Sequence, residues 1–271
     1  MVKRSKYLLA LFFSVVFLTL KAGAPSDEFC GIRNTAFNAG EQLTFHVYYA
    51  LGGVYVNAGT AVFSTSLDKI NGRTVYHIVG DGATNPGYDW IYKVRDKYES
   101  FIDTATMLPL KFIRNVQEGS HKQYENISFN RTANTAITTA GVYKVPTCVQ
   151  DVLSGIYYAR NINFAKYKAG DKIPFTMFLD NEVYNMYIRY LGKEEIKTRY
   201  GKFRAIKFKP LLLKGTIFEG GEKMTVWVSD DANHIPVRVE SPITVGSIKV
   251  DMMSYRNLRY SLSSLKKTRG S

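Results

Sequence analysis

Alternation of apolar and polar residues, interrupted by short turn sequences, recurs along most of the chain and constrains its fold more than any other feature. In the run LTFHVYYA, Leu43, Phe45 and Val47 fall on one face of a strand, and Thr44 and His46 fall on the other. Similar runs follow one another to the end of the chain, separated by Asn-Gly, Asp-Asn and Asp-Asp turns. The pattern predicts ten or more antiparallel strands joined by hairpins.

One segment, DVLSGIYYAR, departs from this period. It places Val152, Leu153, Ile156 and Tyr157 on a single helical stripe and begins with an aspartate suited to an N-cap. We therefore expect one well-defined helix over residues 151–161.

The fold class that follows is all-β with one or two short helices. A sheet of so many strands usually curls to remove its edges, so we expect a curved, incompletely closed antiparallel β-barrel or meander. The helix would pack in or over the mouth of this barrel. Two roles for it stay open at this stage: a plug that completes the core, or a lid over a ligand cavity.

The N-terminus resembles a secretory signal. Three basic residues precede an uncharged apolar run of 13 residues, Leu8–Leu20, and small residues follow it. We expect a signal peptide at 1–24, a single β domain at 25–260 and a polar C-terminal tail at 261–271. The predicted location is the periplasm, with outer-membrane association and the precise cleavage site left open. A retained anchor is the alternative; after signal removal the chain would not be transmembrane.

Charge argues against a nucleic-acid partner. The formal net charge of +13 includes four cations in the predicted signal, so 13 − 4 leaves +9 for the rest. These cations are scattered along strands and turns, which is typical of solvated strand faces.

Cys30 and Cys148 are the only cysteines. In an oxidising compartment two cysteines either pair or stay buried, and we expect a disulfide here. The sequence has no CxxC motif, which argues against a redox-active pair.

The sequence offers little catalytic chemistry. The four histidines are never at metal-binding spacing, and Ser154 lies within the helix rather than on a nucleophile elbow. We therefore expect no enzyme activity, no metal site and no cofactor. The remaining catalytic alternative is a hydrolase whose site is assembled from distant carboxylates, such as Glu41 and Asp151.

Aromatic residues give the one positive signal. Trp90, Tyr92, Tyr157 and Tyr158 lie on the two segments that break the strand pattern, so they are candidates to line a ligand cavity. The favoured hypothesis is a non-catalytic binding or carrier module for a lipid, lipopeptide or glycan precursor, held between the curved sheet and the helix. The alternative is a structural or adaptor protein of the envelope with a solid core and a protein partner. The oligomeric state stays open.

Three stretches resemble, in order and spacing, the exported DUF3108 family of Bacteroidetes type. They are FNAGEQLTFHVYY…AGTAVF, DVLSGIYYAR and MTVWVSDDANHIPVRVE…VGSIKVDM. The resemblance runs from about Ala36 to Met252 and implies a mostly antiparallel β fold in the Gram-negative envelope. It implies no activity. The positions that carry it are Gly40, Glu41, Asp151, Ser154, Tyr157, Arg160, Trp227, Ser229 and Pro236.

Overall fold

Fifteen strands and one α-helix make up the described part of the chain. The computed structural model describes residues 30–52, 54–213, 220–243 and 245–268, so the predicted signal peptide lies outside the described residues. The helix α1 is Val152–Ala159, and two 3₁₀ helices are Pro86–Tyr88 and Phe164–Lys166. The strands are β1 Gln42–Leu51, β2 Val54–Ile70, β3 Arg73–Thr84, β4 Val94–Asp103, β5 Pro109–Glu118, β6 His121–Asn130, β7 Thr135–Ile137, β8 Val142–Lys144, β9 Lys172–Leu179, β10 Glu182–Lys197, β11 Gly201–Pro210, β12 Thr225–Ser229, β13 Pro236–Pro242, β14 Ser247–Arg256 and β15 Leu265–Thr268.

All strand pairings in the sheet are antiparallel, and most join neighbours in the sequence. The order is β8-β7-β6-β5-β4-β3-β2-β1-β14-β13-β12-β11-β10-β9, with β15 added beside β11. The pairing of β1 with β14 joins the two halves of the chain into one sheet. The predicted all-β meander is confirmed.

The sheet curls around α1. The largest apolar cluster contains Ile78 of β3, Ile102 of β4, Ile188 of β10 and Phe208 of β11, together with Tyr157 of the helix. These strands are far apart in the sheet order, so they share one core only because the sheet bends over the helix. The predicted helix inside a curved sheet is therefore confirmed.

The edge strand β9 meets the segment between β8 and α1 without a continuous ladder. The N–H of Gln150 donates to the carbonyl of Thr176, and the N–H of Phe178 donates to the carbonyl of Gln150, each at 2.9 Å. This forms one parallel bridge between Gln150 and Met177. The barrel is thus incompletely closed, as the strand count predicts.

The helix begins with a capping box. The side chain of Asp151 accepts from the N–H of Ser154, and the hydroxyl of Ser154 accepts from the N–H of Asp151. The buried face differs from the predicted stripe, because Ile156 is exposed whereas Tyr158 is fully buried. A helix enclosed by the sheet contacts it on more than one side, so a single stripe does not describe its buried surface.

The C-terminal segment is not a free polar tail over its described part. Leu265–Thr268 pairs with β11 as β15. Leu262 and Leu265 pack against a second apolar cluster that includes Phe203. These leucines keep the segment on the sheet, although the charged residues around them suggested a solvated end.

Candidate binding cleft

The structure separates the four aromatic residues that were predicted to line a cavity. Tyr157 and Tyr158 are 2% and 0% exposed and belong to the core. Trp90 is 83% exposed and Tyr92 is also exposed, both on the loop between β3 and β4. Leu153 is 3% exposed, so the protein's own side chains fill the space between helix and sheet. The four rings therefore line no common site.

The N-terminal segment is fixed against the helix. Cys30 and Cys148 form a disulfide. The N–H of Ile32 donates to the hydroxyl of Tyr158 at 3.1 Å. The ring of Phe37 packs edge-on against Tyr157, with ring centres 4.8 Å apart. This segment completes the core on one side of α1.

An ion pair is buried at the C-terminal end of the helix. Arg160 donates to both carboxylate oxygens of Glu41, at 2.5 and 2.9 Å, and to the carbonyl of Asn233 at 3.1 Å. Burial alone would lower the pKa of Arg160, but the charge and hydrogen bonds of Glu41 outweigh it and raise that pKa. The pair is fully satisfied and enclosed, so its role is structural.

A second buried carboxylate lies at the other end of the helix. Asp151 accepts from the hydroxyl of Ser100 at 2.6 Å and from the N–H of Ser154 at 2.7 Å. Burial raises the pKa of Asp151 to about 6, against the lowering effect of these bonds and of Arg131. Glu41 and Asp151 thus lie at opposite ends of α1, and they do not converge on a hydrolytic site.

The four histidines do not cluster. His46 is bonded to Asn57, His77 is paired with a glutamate, His234 is bonded to the carbonyl of Arg160, and His121 is exposed. Among residues 30–52, 54–213, 220–243 and 245–268, no group of three or more potential metal ligands comes together.

A half-open cleft of about 370 Å³ lies on the outer face of the sheet. Strand alternation puts Tyr48 on the face of β1 opposite Phe45, which packs in the apolar core. The cleft is lined by Tyr48, Tyr55, Lys197, Thr198, Arg199, Arg238, Lys249 and Asp251.

Cations and tyrosine rings alternate in this cleft. The guanidinium carbon of Arg199 lies 4.5 Å from the centre of the Tyr48 ring, and the Nζ atom of Lys249 lies 5.2 Å from the centre of the Tyr55 ring. The hydroxyl of Thr198 and the carbonyl of Gly201 hydrogen-bond across the turn that carries Arg199. That turn holds the guanidinium over the cleft.

Only part of this positive charge is neutralised within the protein. Arg238 forms a bidentate pair with Asp251 at 2.6 and 2.9 Å, and Lys249 lies 3.2 Å from a carboxylate oxygen of Glu240. Within the described ranges, no carboxylate pairs with Lys197 or Arg199. The cleft therefore offers two cations to an incoming anion.

A smaller cleft of about 270 Å³ continues from the first. The two share Tyr55 and Lys249, and the second also contacts Lys223, Glu240 and Pro242. Together they form a groove along β13, β14 and the start of β2.

Sequence reasoning missed this groove because its residues come together only through register. Tyr48 faces Lys249 because β1 pairs with β14, and Arg238 faces Asp251 because β13 pairs with β14. The sequence does show tyrosines and cations alternating on single strand faces. That pattern predicts a site only when the pairing of the strands is known, because the neighbours lie on different strands.

Comparison with known proteins agrees with this architecture. A family model described as a protein of unknown function, DUF3108, matches residues 44–253. The chain belongs to the DUF3108 family. The match runs from within β1 to within β14 and includes the helix, so the predicted family is confirmed. No curated protein matches the chain.

Solved structures resemble the DUF3108 chain at low sequence identity. A beta-barrel-like protein of domain of unknown function DUF1849 from Brucella abortus has a TM-score of 0.51 and 8% identity, covering 83% of this chain and 100% of its own. A protein from Parabacteroides distasonis assigned as a lipoprotein has a TM-score of 0.37 and 14% identity, covering 83% of this chain and 100% of its own. A protein from Bacteroides fragilis assigned as exported, with a YmcC-like fold, has a TM-score of 0.32 and 15% identity, covering 82% of this chain and 97% of its own. The likeness to the DUF1849 protein supports the barrel-like fold and says nothing about function.

None of the helices in the described residues has the length and apolar character needed to cross a bilayer.

Proposed function

We propose that this protein is a non-catalytic binding module of the bacterial envelope, and that its ligand binds in the outer cleft rather than between helix and sheet. The observation that carries the proposal is the 370 Å³ cleft in which Arg199 lies on the ring of Tyr48 without a carboxylate partner in the described part of the chain. The filled space around α1 favours surface binding over carriage in the interior.

The cleft chemistry favours an anionic ligand with a flat or ring-shaped apolar part. Lys197 and Arg199 supply charge-assisted donors for a phosphate or carboxylate, and arginine can bind such groups through two nitrogens. The exposed Tyr55 ring supplies stacking surface for a sugar or a similar group, whereas the Tyr48 ring is 4% exposed and lies beneath Arg199. A sugar phosphate or acidic glycan unit meets both requirements. Export to the periplasm, which the N-terminal sequence predicts, would bring the cleft to envelope glycans and lipids.

Titration with glucose 1-phosphate, followed by isothermal calorimetry, tests the proposal directly. The double variant Lys197→Ala/Arg199→Ala should lose most of the binding. Lys144→Ala is the matched control, because Lys144 is an exposed strand cation outside the cleft. Inorganic phosphate, tested alongside, should bind more weakly because it lacks the ring.

Absence of binding to both probes would overturn the anionic-ligand assignment, and so would equal binding by wild type and the double variant. Native mass spectrometry of protein taken fresh from the envelope gives an independent check. A mass shift that disappears in the double variant would support the cleft, whereas a shift that persists would place the ligand elsewhere.

A further inference from the structure

The groove formed by the two clefts follows rows of paired residues that cross β12, β13, β14 and β1. Residues directly opposite each other in an antiparallel sheet point to the same face. Strand pairing places three such rows side by side: Arg238–Asp251, then Thr225–Glu240–Lys249–Tyr48, then Pro242–Ser247. The first cleft is built on the first and second rows, and the second cleft on the second and third. The two clefts are therefore displaced along the strands by two residues, about 7 Å at the rise of a strand.

The charge available to a ligand differs between the two ends of this groove. In the middle row, the Nζ atom of Lys249 lies 3.2 Å from a carboxylate oxygen of Glu240, so these two charges offset each other. Lys197 and Arg199 line the first cleft alone. Lys223 lines the second cleft, and it already interacts with another residue of the protein. The uncompensated positive charge is therefore confined to the first cleft.

The second cleft offers hydroxyl groups instead. Thr225 and Ser247 are half-buried in its lining, and their hydroxyls form no hydrogen bond within the described ranges of the chain. The side chain of Glu240 is 42% exposed, so its carboxylate can accept from a ligand hydroxyl. The same carboxylate would repel a second anion. This end of the groove therefore suits a neutral, hydroxylated group.

Tyr55 lies where the two clefts join. It lines both of them and is 51% exposed, and the Nζ atom of Lys249 lies 5.2 Å from the centre of its ring. An exposed tyrosine ring supplies an apolar face on which a sugar can pack. A ligand packed on this ring can therefore contact both clefts at once.

We propose that the groove binds a glycan of at least two units, with an anionic unit in the first cleft and a neutral unit in the second. This inference rests on the proposed function and adds the length and the direction of the ligand. Lys197 and Arg199 bind the anionic group, and the hydroxyls of Thr225 and Ser247 bind the neutral unit. The reverse orientation would bring the anion to Glu240 and leave the two cations without a counter-charge.

Calorimetric titration with glucose 6-phosphate, trehalose 6-phosphate and trehalose tests the inference. Trehalose 6-phosphate carries the same phosphorylated ring joined to a second, neutral glucose. Wild type should bind trehalose 6-phosphate roughly 10-fold more tightly than glucose 6-phosphate, the gain expected from one or two additional hydrogen bonds. Trehalose should bind more weakly than trehalose 6-phosphate, because it lacks the anion.

The variant Thr225→Val/Ser247→Ala removes the two hydroxyls of the second cleft. It should lose the gain and bind both phosphates with similar affinity, because glucose 6-phosphate occupies the first cleft alone. Thr74→Val/Ser128→Ala is the matched control, since both residues are exposed strand positions outside the groove. The control should bind trehalose 6-phosphate as wild type does.

Equal affinity of wild type for the two phosphates would overturn the inference and leave the single-unit cleft in place. A gain that persists in Thr225→Val/Ser247→Ala would also contradict it, because the second unit would then lie outside the second cleft. If wild type binds neither phosphate, the proposed function fails and the inference fails with it. Trehalose that binds as tightly as trehalose 6-phosphate would show that the anion has no role, which also refutes both.

Discussion

The buried carboxylate of Asp151 should make the stability of the protein fall as pH rises. Its pKa is raised to about 6 in the folded chain, from an ordinary value of 3.8, because burial disfavours the charged form. The folded state therefore holds the proton more tightly than the unfolded state between these values. Stability is highest below pH 4, declines as pH rises through 4 to 6, and is constant again above about 7 with respect to this group. At about 1.4 kcal/mol per pH unit, the total loss is about 3 kcal/mol.

The substitution Asp151→Asn isolates this effect. Asparagine is as good an N-cap as aspartate, so the bond from the Ser154 N–H is kept. The Ser100 hydroxyl, which now donates to the carboxylate, can rotate to accept from the new amide. The variant should match wild type near pH 4 and exceed its free energy of unfolding by about 3 kcal/mol at pH 7.5.

Urea unfolding at several pH values between 4 and 8, at constant ionic strength, measures this difference. Other titrating groups cancel because they are common to both proteins. Asp68→Asn, on an exposed strand position, provides the baseline for the same chemical change. A difference that does not vary with pH would refute the reasoning. If wild type instead gains stability relative to Asp151→Asn as pH rises, the pKa of Asp151 is lowered rather than raised. The hydrogen bonds from Ser100 and Ser154 and the charge of Arg131 would then outweigh the effect of burial on that pKa.

Three further outcomes follow from the core. Reduction of the disulfide between Cys30 and Cys148, which closes a loop with a sequence separation of 118, should lower the free energy of unfolding by up to about 4–5 kcal/mol, seen as a lower midpoint in thermal melts with reductant. Glu41→Gln leaves the buried Arg160 without its counter-charge and should lower the free energy of unfolding in urea by about 3–5 kcal/mol. If Glu41→Gln costs the same amount in an Arg160→Met background, the ion pair is not the cause of the loss. Leu153→Ala opens a cavity beside α1 and should cost about 2–5 kcal/mol by the same assay, with a cost below 1 kcal/mol arguing against tight packing there.

Local patterns were sufficient to predict the architecture. The period of two around Phe45 depends only on neighbouring residues, and so does the capping signal of Asp151 and Ser154. The curling of the sheet followed from its strand number. Ile156 was predicted as buried because a stripe assumes one packing surface, whereas the curled sheet contacts the helix on several sides.

The candidate sites depend on contacts that local patterns do not contain. Arg199 meets Tyr48 only because the β10–β11 turn folds onto β1, 151 positions away in the sequence. Trp90 was predicted to line a cavity with Tyr157 and Tyr158, but it lies exposed on the β3–β4 loop, whereas those two tyrosines lie in the core. A sequence scan identifies aromatic residues outside strands; it does not say on which side of the sheet each one lies.

Tyr55 is shared by the two clefts, and its position limits what the protein can bind. Lys249 lies over the Tyr55 ring and also lines both clefts. A cleft of 370 Å³ accommodates a charged ring-sized group but not an acyl chain as well. An amphipathic ligand bound there would keep its apolar part outside the cleft. The cleft proposal therefore favours recognition of an anionic headgroup or sugar unit over enclosure of a whole lipid.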